Sequence, residues 1–240
     1  MSDRADSKEV FISHSHKQDA GSARRLAQDL EKNGHRPWIA PDSILPGEQW
    51  VRGINRGLTQ SDVLVVVMTP AALESKWVNL EANVGIQRAV SEDKLFIPLD
   101  FEQCAVPVLW SAFQFVSFRK SYPDGLQELL ARLSGKLSRA ALRSVGKKAR
   151  LSFPKQATRN SKLATNLLNA AANASVTAIN KQAELYRVAQ NKKFGKPQSD
   201  EFHFDVAGST YVGQVFGKGI AFAKTGDWGN VNLLEKPKGL

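Results

Sequence analysis

A single cysteine, Cys104, stands in the 240-residue chain, so no internal disulfide cross-links it, and a reducing compartment suits it. Long apolar runs are missing too. None approaches the about 20 residues that a membrane-spanning helix needs, and the start, Met-Ser-Asp-Arg-Ala-Asp, has no apolar leader core. These absences predict a cytoplasmic protein with no membrane segment. Metal ligands are sparse: His14 and His16 stand close together, but no Cys, His or acid pattern accompanies them, so no metal site is expected. Acids are short in one part of the chain only. Residues 1–137 carry a net charge of −1 and residues 138–240 a net charge of +11. Between Ser138 and Asn160 there are seven Lys and Arg and no acid. Such asymmetry suits a polyanion or an acidic partner, or else a solvated, solubilising face; no nucleic-acid-binding motif accompanies it.

What is present is a regular alternation. The run Val63-Leu-Val-Val-Val-Met68 is β-branched and unbroken, as in a strand buried on both faces of a parallel sheet. Thr69-Pro70 ends it, and the pattern predicts a helix over 71–90. Trp77 and Glu81 are four apart on that helix, so they share one face, with Ser75 near its start. A carboxylate beside an indole, just beyond the C-terminal end of a central strand, lies where open α/β sheets bind ligands. Further strands are expected over 9–13, 35–40, 95–99 and 115–118. Helices are expected over 19–33, around Trp50, Ile54 and Leu58, and along Leu126 to Leu137. The loop Pro41-Asp-Ser-Ile-Leu-Pro-Gly47 is shaped by two prolines and a glycine. The alternation predicts an α/β fold, a parallel sheet with helices on both faces.

The pattern changes after residue 137. Residues 138–160 read as a basic linker, with Pro154 against one continuous helix. An amphipathic helix is expected over 161–190, within a segment 161–194, because Leu168, Ala172, Val176, Ile179, Ala183 and Tyr186 keep one apolar stripe. Residues 200–240 switch to period two and are rich in glycine, which predicts a small β appendage of two or three short strands. So few strands do not bury a core alone. The appendage must pack on the helix, on the first domain or on another copy of the chain. Gly213-Gln-Val-Phe-Gly-Lys-Gly219 is not a phosphate-binding loop: its first glycine is one residue too close, and Gly219 replaces the Ser or Thr that binds magnesium. A turn in the small sheet explains it better.

Three segments carry a family resemblance. Trp77-Val-Asn-Leu-Glu81, preceded by a strand and Ser-Lys, resembles the WxxxE signature of Toll/interleukin-1 receptor (TIR) domains. Val10-Phe-Ile-Ser-His14 is similar to the family's first strand, and Trp38 to Gly47 to its second strand and the following BB loop. The match spans residues 8–137. It implies a flavodoxin-like three-layer α/β domain and either NAD⁺ glycohydrolase chemistry or scaffold-type self-association. If it is an enzyme of that kind, NAD⁺ is substrate rather than cofactor, and the products are nicotinamide with ADP-ribose or a cyclic ADP-ribose. The biology implied is bacterial defence or cell-death signalling.

The resemblance also implies site residues. Glu81 becomes the catalytic carboxylate; its bland reading is a surface helix residue. Trp77 either walls the site or packs helix to sheet. Ser15 and His16 follow the first strand, where NAD⁺-cleaving relatives contact the nucleotide, though several carry basic residues there and this chain has Ser-His. Asp42 matches a BB-loop acid that touches substrate in some relatives, and is equally a turn-forming Asp after proline. Self-association through TIR domains and the C-terminal region is expected. Two other functions stay open: a non-catalytic TIR scaffold, and a nucleic-acid or ligand sensor acting through the basic C-terminal region.

Overall fold

A computed structural model describes residues 7–92, 94–135, 155–177, 179–237 and 239–240. Most of the expected basic linker therefore lies outside the described residues. In the first part, strands β1 (Glu9–Ser13), β2 (Arg36–Trp38), β3 (Val63–Met68), β4 (Leu95–Asp100) and β5 (Val116–Ser117) form one sheet in the order β2-β1-β3-β4-β5. Every pair in it is parallel. The expected α/β fold is thus the observed one. All six residues of β3 are buried, as its unbroken apolar run requires at the centre of a covered sheet.

The two faces of this sheet are covered differently. Helices α1 (Ala20–Lys32) and α5 (Tyr122–Leu133) bury Leu26, Leu30, Leu129 and Leu133 against Ile12, Val65, Val67 and Leu99. On the other face lie α2 (Trp50–Gln60), the short α3 (Pro70–Glu74) and α4 (Lys76–Ser91). The single helix expected over 71–90 is divided here at Ser75. The Ser75 hydroxyl accepts from the Val78 N–H and so caps α4, while Thr69 caps α3. Gly57 lets α2 settle onto β2, for a Cβ there would lie 2.4 Å from the Trp38 ring.

The C-terminal part packs on the first domain within the same chain. Helix α6 (Lys155–Asn173) lies against α4 and α2 on one side and β6 on the other. Beyond it come α7 (Glu184–Asn191) and an antiparallel sheet of β6 (Phe202–Val206), β7 (Ser209–Phe216), β8 (Gly219–Lys224) and β9 (Asn232–Glu235) in sequential order. Four strands form where two or three were expected; β9 was not anticipated. Gly217 and Lys218 are the hairpin turn between β7 and β8, as the rejection of a phosphate loop implied. Leu167, Leu168 and Ala171 of α6 share one continuous core with Trp50, Trp77 and Leu80 on one side and Phe202, Phe204 and Ile220 on the other. The apolar surface expected to need a partner is therefore covered inside the chain.

The helix expected over 161–190 is corrected. It stops at Asn173 and resumes only at Glu184. The stripe fails after Ala172: Val176 and Ile179 are exposed. Asn173 to Asn180 is rich in Asn, Ser, Thr and β-branched residues, which favour helix weakly. Tertiary bonds outbid it: the Asp200 carboxylate accepts from the Thr177 N–H at 2.9 Å and from its hydroxyl at 2.6 Å, and the Asp200 N–H donates to Ser175 O at 2.7 Å. Among the described residues no helix is long and apolar enough to cross a membrane.

Candidate active site

Glu81 lies on the face of α4 that meets the sheet, and it is only 4% exposed. Its Oε2 accepts a hydrogen bond from the Ser13 hydroxyl, 2.6 Å away at the C-terminal end of β1. Burial pushes the Glu81 carboxyl up to about 7, and the Ser13 bond opposes that rise. The group is thus poised between its charged and neutral forms near neutral pH. One turn earlier on the same helix, Trp77 is buried and meets Trp50 of α2 edge to face, with ring centroids 5.2 Å apart. Among the described residues the indole N–H groups of both tryptophans have no hydrogen-bond partner.

A cleft of about 410 Å³ opens beside Trp77, while Trp50 borders a neighbouring groove at the BB loop that Lys236 also reaches. The walls of the cleft include Ser15, His16 and Lys17 after β1, Glu74 to Trp77 where α3 gives way to α4, and Glu235 to Pro237 at the end of β9. The loops after β1 and β3 are stitched together by Asp19, whose carboxylate accepts from the Ser15 N–H at 3.2 Å and the Thr69 hydroxyl at 2.8 Å. That bond set holds Ser15 and His16 opposite α4. His14 and His16 stack with centroids 4.5 Å apart. Burial, and then repulsion from His14, lowers His16 to about 4, so it is neutral at ordinary pH. Burial lowers His14 as well.

The five sequence-derived candidates are not all brought together. Ser15, His16 and Trp77 line the cleft. Glu81 does not; it is buried at the end of β1, with its charge closed off from solvent. Its bland reading as a surface helix residue fails on burial. Asp42 does not line the cleft either: it borders a groove with Arg24 and His35, near enough to His14 and His16 for their charges to couple, and Arg24 engages both of its oxygens, at 2.9 and 3.3 Å. That pairing holds the Asp42 carboxyl below its usual value. Sequence reasoning missed Ser13, although a small hydroxyl residue ending the first strand was in view. It placed Trp50 on a short helix with Ile54 and Leu58 and gave it no part in the site. Lys236 gave no local signal at all.

Comparison with known proteins bears directly on this arrangement. The family model of the TIR domain matches residues 10–130, half of the chain. The chain belongs to the TIR domain family. Curated relatives align over the TIR part alone. A 2′ cyclic ADP-D-ribose synthase of Bacteroides thetaiotaomicron is 25% identical over 91 residues, 38% of this chain and 32% of the relative. An NAD(+) hydrolase of a Theionarchaea archaeon is 29% identical over 91 residues, 38% of this chain and 28% of the relative. The aligned part thus spans about a third of the length of these relatives. Among solved structures, the TIR domain of a Toll-related receptor from Hydra magnipapillata superposes with a TM-score of 0.46 at 17% identity, covering 53% of this chain and 98% of that one.

Proposed function

We propose that this TIR protein cleaves the bond between nicotinamide and ribose in NAD⁺, with Glu81 as the catalytic carboxylate. What supports the reading most is Glu81 itself. A buried carboxylate raised to about 7, on the WxxxE helix beside a cleft at the carboxyl ends of parallel strands, is costly to keep for packing alone. The relatives' names point the same way.

The chemistry asks little of the protein beyond one negative charge. The C–N bond breaks with its electron pair passing to the pyridinium nitrogen, so nicotinamide leaves neutral and no general acid is needed. Positive charge develops on the ribose, where an ionised Glu81 stabilises it. This differs from ordinary glycosidases, which use two carboxylates because an alkoxide must be protonated. Water attacking the ribose then gives ADP-ribose and a proton; attack by a hydroxyl of the same molecule gives a cyclic product. Because Glu81 is buried and does not line the cleft, entry of the ribose requires the cleft to widen toward it.

A second reading has its own observation. The same burial of Glu81, together with Leu45 lying 59% exposed in the BB loop, suits a TIR scaffold that works by contact rather than turnover. One experiment separates the two. The full chain is incubated with NAD⁺ and the products separated by chromatography. Release of nicotinamide, reduced at least about 100-fold by Glu81→Gln, is expected, as for loss of one preorganised electrostatic contact. No release at any protein concentration leaves the scaffold reading in its place.

A further inference from the structure

We propose that Lys236, from the segment following β9, is the cation that receives the diphosphate of a dinucleotide in the cleft beside Trp77. This rests on the NAD⁺ reading of that cleft and extends it to a residue outside the TIR domain.

An ADP-ribosyl group brings two negative charges, and the TIR side of the cleft meets them with exposed lysines alone. Ser15 and Gln18 are neutral, and His16, titrating at about 4, carries no charge at ordinary pH. Glu74 and Glu235 add negative charge to the rim. Three cations line the cleft: Lys17, Lys76 and Lys236. Lys17 and Lys76 are exposed, and the Lys76 ammonium donates to Leu233 O at 3.4 Å. Lys236 differs. It is half-buried, and its ammonium lies 5.7 Å from the centre of the Trp50 ring. Among the described residues it forms no ion pair. Burial lowers its basicity. A partly desolvated ammonium that faces a π system and has no carboxylate is a site awaiting an anion.

The position is also built. The Lys236 N–H donates to Lys218 O at 2.6 Å, continuing the pairing of β9 with β8, and Pro237 is buried. Leu240 packs on the main core. The appendage thus holds the lysine against the TIR domain rather than trailing past it. Trp50, beneath Lys236, touches Trp77, and Trp77 stands one turn before Glu81. Along that line the ribose end of the substrate would face Glu81 and the diphosphate would face Lys236, the order in which the two groups occur in NAD⁺. The buried Trp77 N–H, which has no acceptor among the described residues, offers a further donor beside them.

The test uses the full chain and measures binding separately from turnover. ADP-ribose and adenosine are titrated into wild type, Lys236→Gln, Lys236→Arg and Lys218→Gln, with thermal melts to show that each variant is folded. Lys218 does not line the cleft; it borders a neighbouring groove that Lys236 also reaches, so it serves as a nearby lysine outside the site. Wild type is expected to bind ADP-ribose. Lys236→Gln should weaken that binding about tenfold, with Lys236→Arg and Lys218→Gln near wild type. Weak adenosine binding should not depend on residue 236. Where NAD⁺ is cleaved, Lys236→Gln should raise KM by a similar factor with kcat little changed. The proposal is overturned if wild type does not bind ADP-ribose or if Lys236→Gln binds it equally. It is also overturned if that variant simply turns over faster, which would make the segment an obstruction. Binding that depends on Lys236 without any cleavage would sink the glycohydrolase reading and leave this one standing.

Discussion

Glu81 is held in the folded chain where its charge is unwelcome, and that has a measurable consequence. Its carboxyl is raised from the usual 4.5 to about 7. Between those two values the folded chain keeps a proton that the unfolded chain has released. The stabilising effect is therefore complete below about 4.5, is lost as pH rises toward 7, and levels off above. Glu81→Gln, which stays neutral, should match wild type near pH 4.5 and exceed it at pH 8 by up to about 3 kcal/mol in urea unfolding. A gap that does not widen with pH would show that Glu81 is not perturbed in this way. Activity should run in the opposite sense, rising with pH through about 7 as the carboxylate forms. Ser13→Ala removes the one hydrogen bond that favours the charged form, so the midpoint of that rise should move to higher pH. At this scale the sequence was partly legible. WxxxE spacing located Glu81 and Trp77 because a helix fixes which residues share a face. The pairing of Asp42 with Arg24 was not legible, because Arg24 lies on another element and nothing local announces it.

Elements follow local rules until a tertiary contact overrides them. The first five strands were readable because apolar runs bounded by turns leave little choice, and β3 is the extreme case. Helix α6 was readable only in part, since its stripe continues past Asn173 on paper while Asp200 draws Ser175 and Thr177 into a loop. Its end is then held by the first domain. Arg52 of α2 donates to Ala172 O at 2.8 Å and to Ala174 O at 3.4 Å, placing a cation on the negative end of α6. Arg52→Ala should cost about 1 kcal/mol, from one charged contact at a helix end. It should also speed amide exchange in the last turn of α6 more than in α1. Equal effects on both helices would mean that the clamp is not specific. Gly57→Ala acts on α2 instead. The added methyl would meet the Trp38 ring at 2.4 Å, and such overpacking costs about 1–3 kcal/mol. Chemical denaturation of the variant checks it.

On the scale of the whole molecule, α4 decides how independent the TIR domain is. A helix on the outside of a two-sided sheet normally shows water one polar face. Helix α4 instead buries Trp77, Val78, Leu80, Glu81, Ala82, Val84 and Ile86, because the sheet lies on one side and α6 on the other. From sequence the second cover was invisible: an amphipathic helix says that it needs a partner but not which one. Among the exposed apolar side chains, which include Val90, Val108 and Trp228, Leu45 is the one carried by the BB loop, the surface through which the TIR resemblance implies self-association. Specific activity should then rise with protein concentration, and Leu45→Asp should flatten the rise; an unchanged slope argues for another face. The shared core makes a stronger demand. Cutting the chain after Leu137 strips α6 and the β appendage from α2 and α4 and opens a broad apolar surface, which soluble domains rarely tolerate. The truncated domain should aggregate or bind a hydrophobic dye, and should melt well below the full chain. Leu168→Ala in the full chain approximates the same loss without removing charge: a buried leucine at the centre of α6 should cost about 2–5 kcal/mol. It should lower the melting of the TIR domain and the appendage together, in a single transition. If the truncated domain instead stays monomeric, binds no dye and melts as the full chain does, the two parts do not share a core. Two separate transitions in Leu168→Ala, with only one shifted, would say the same.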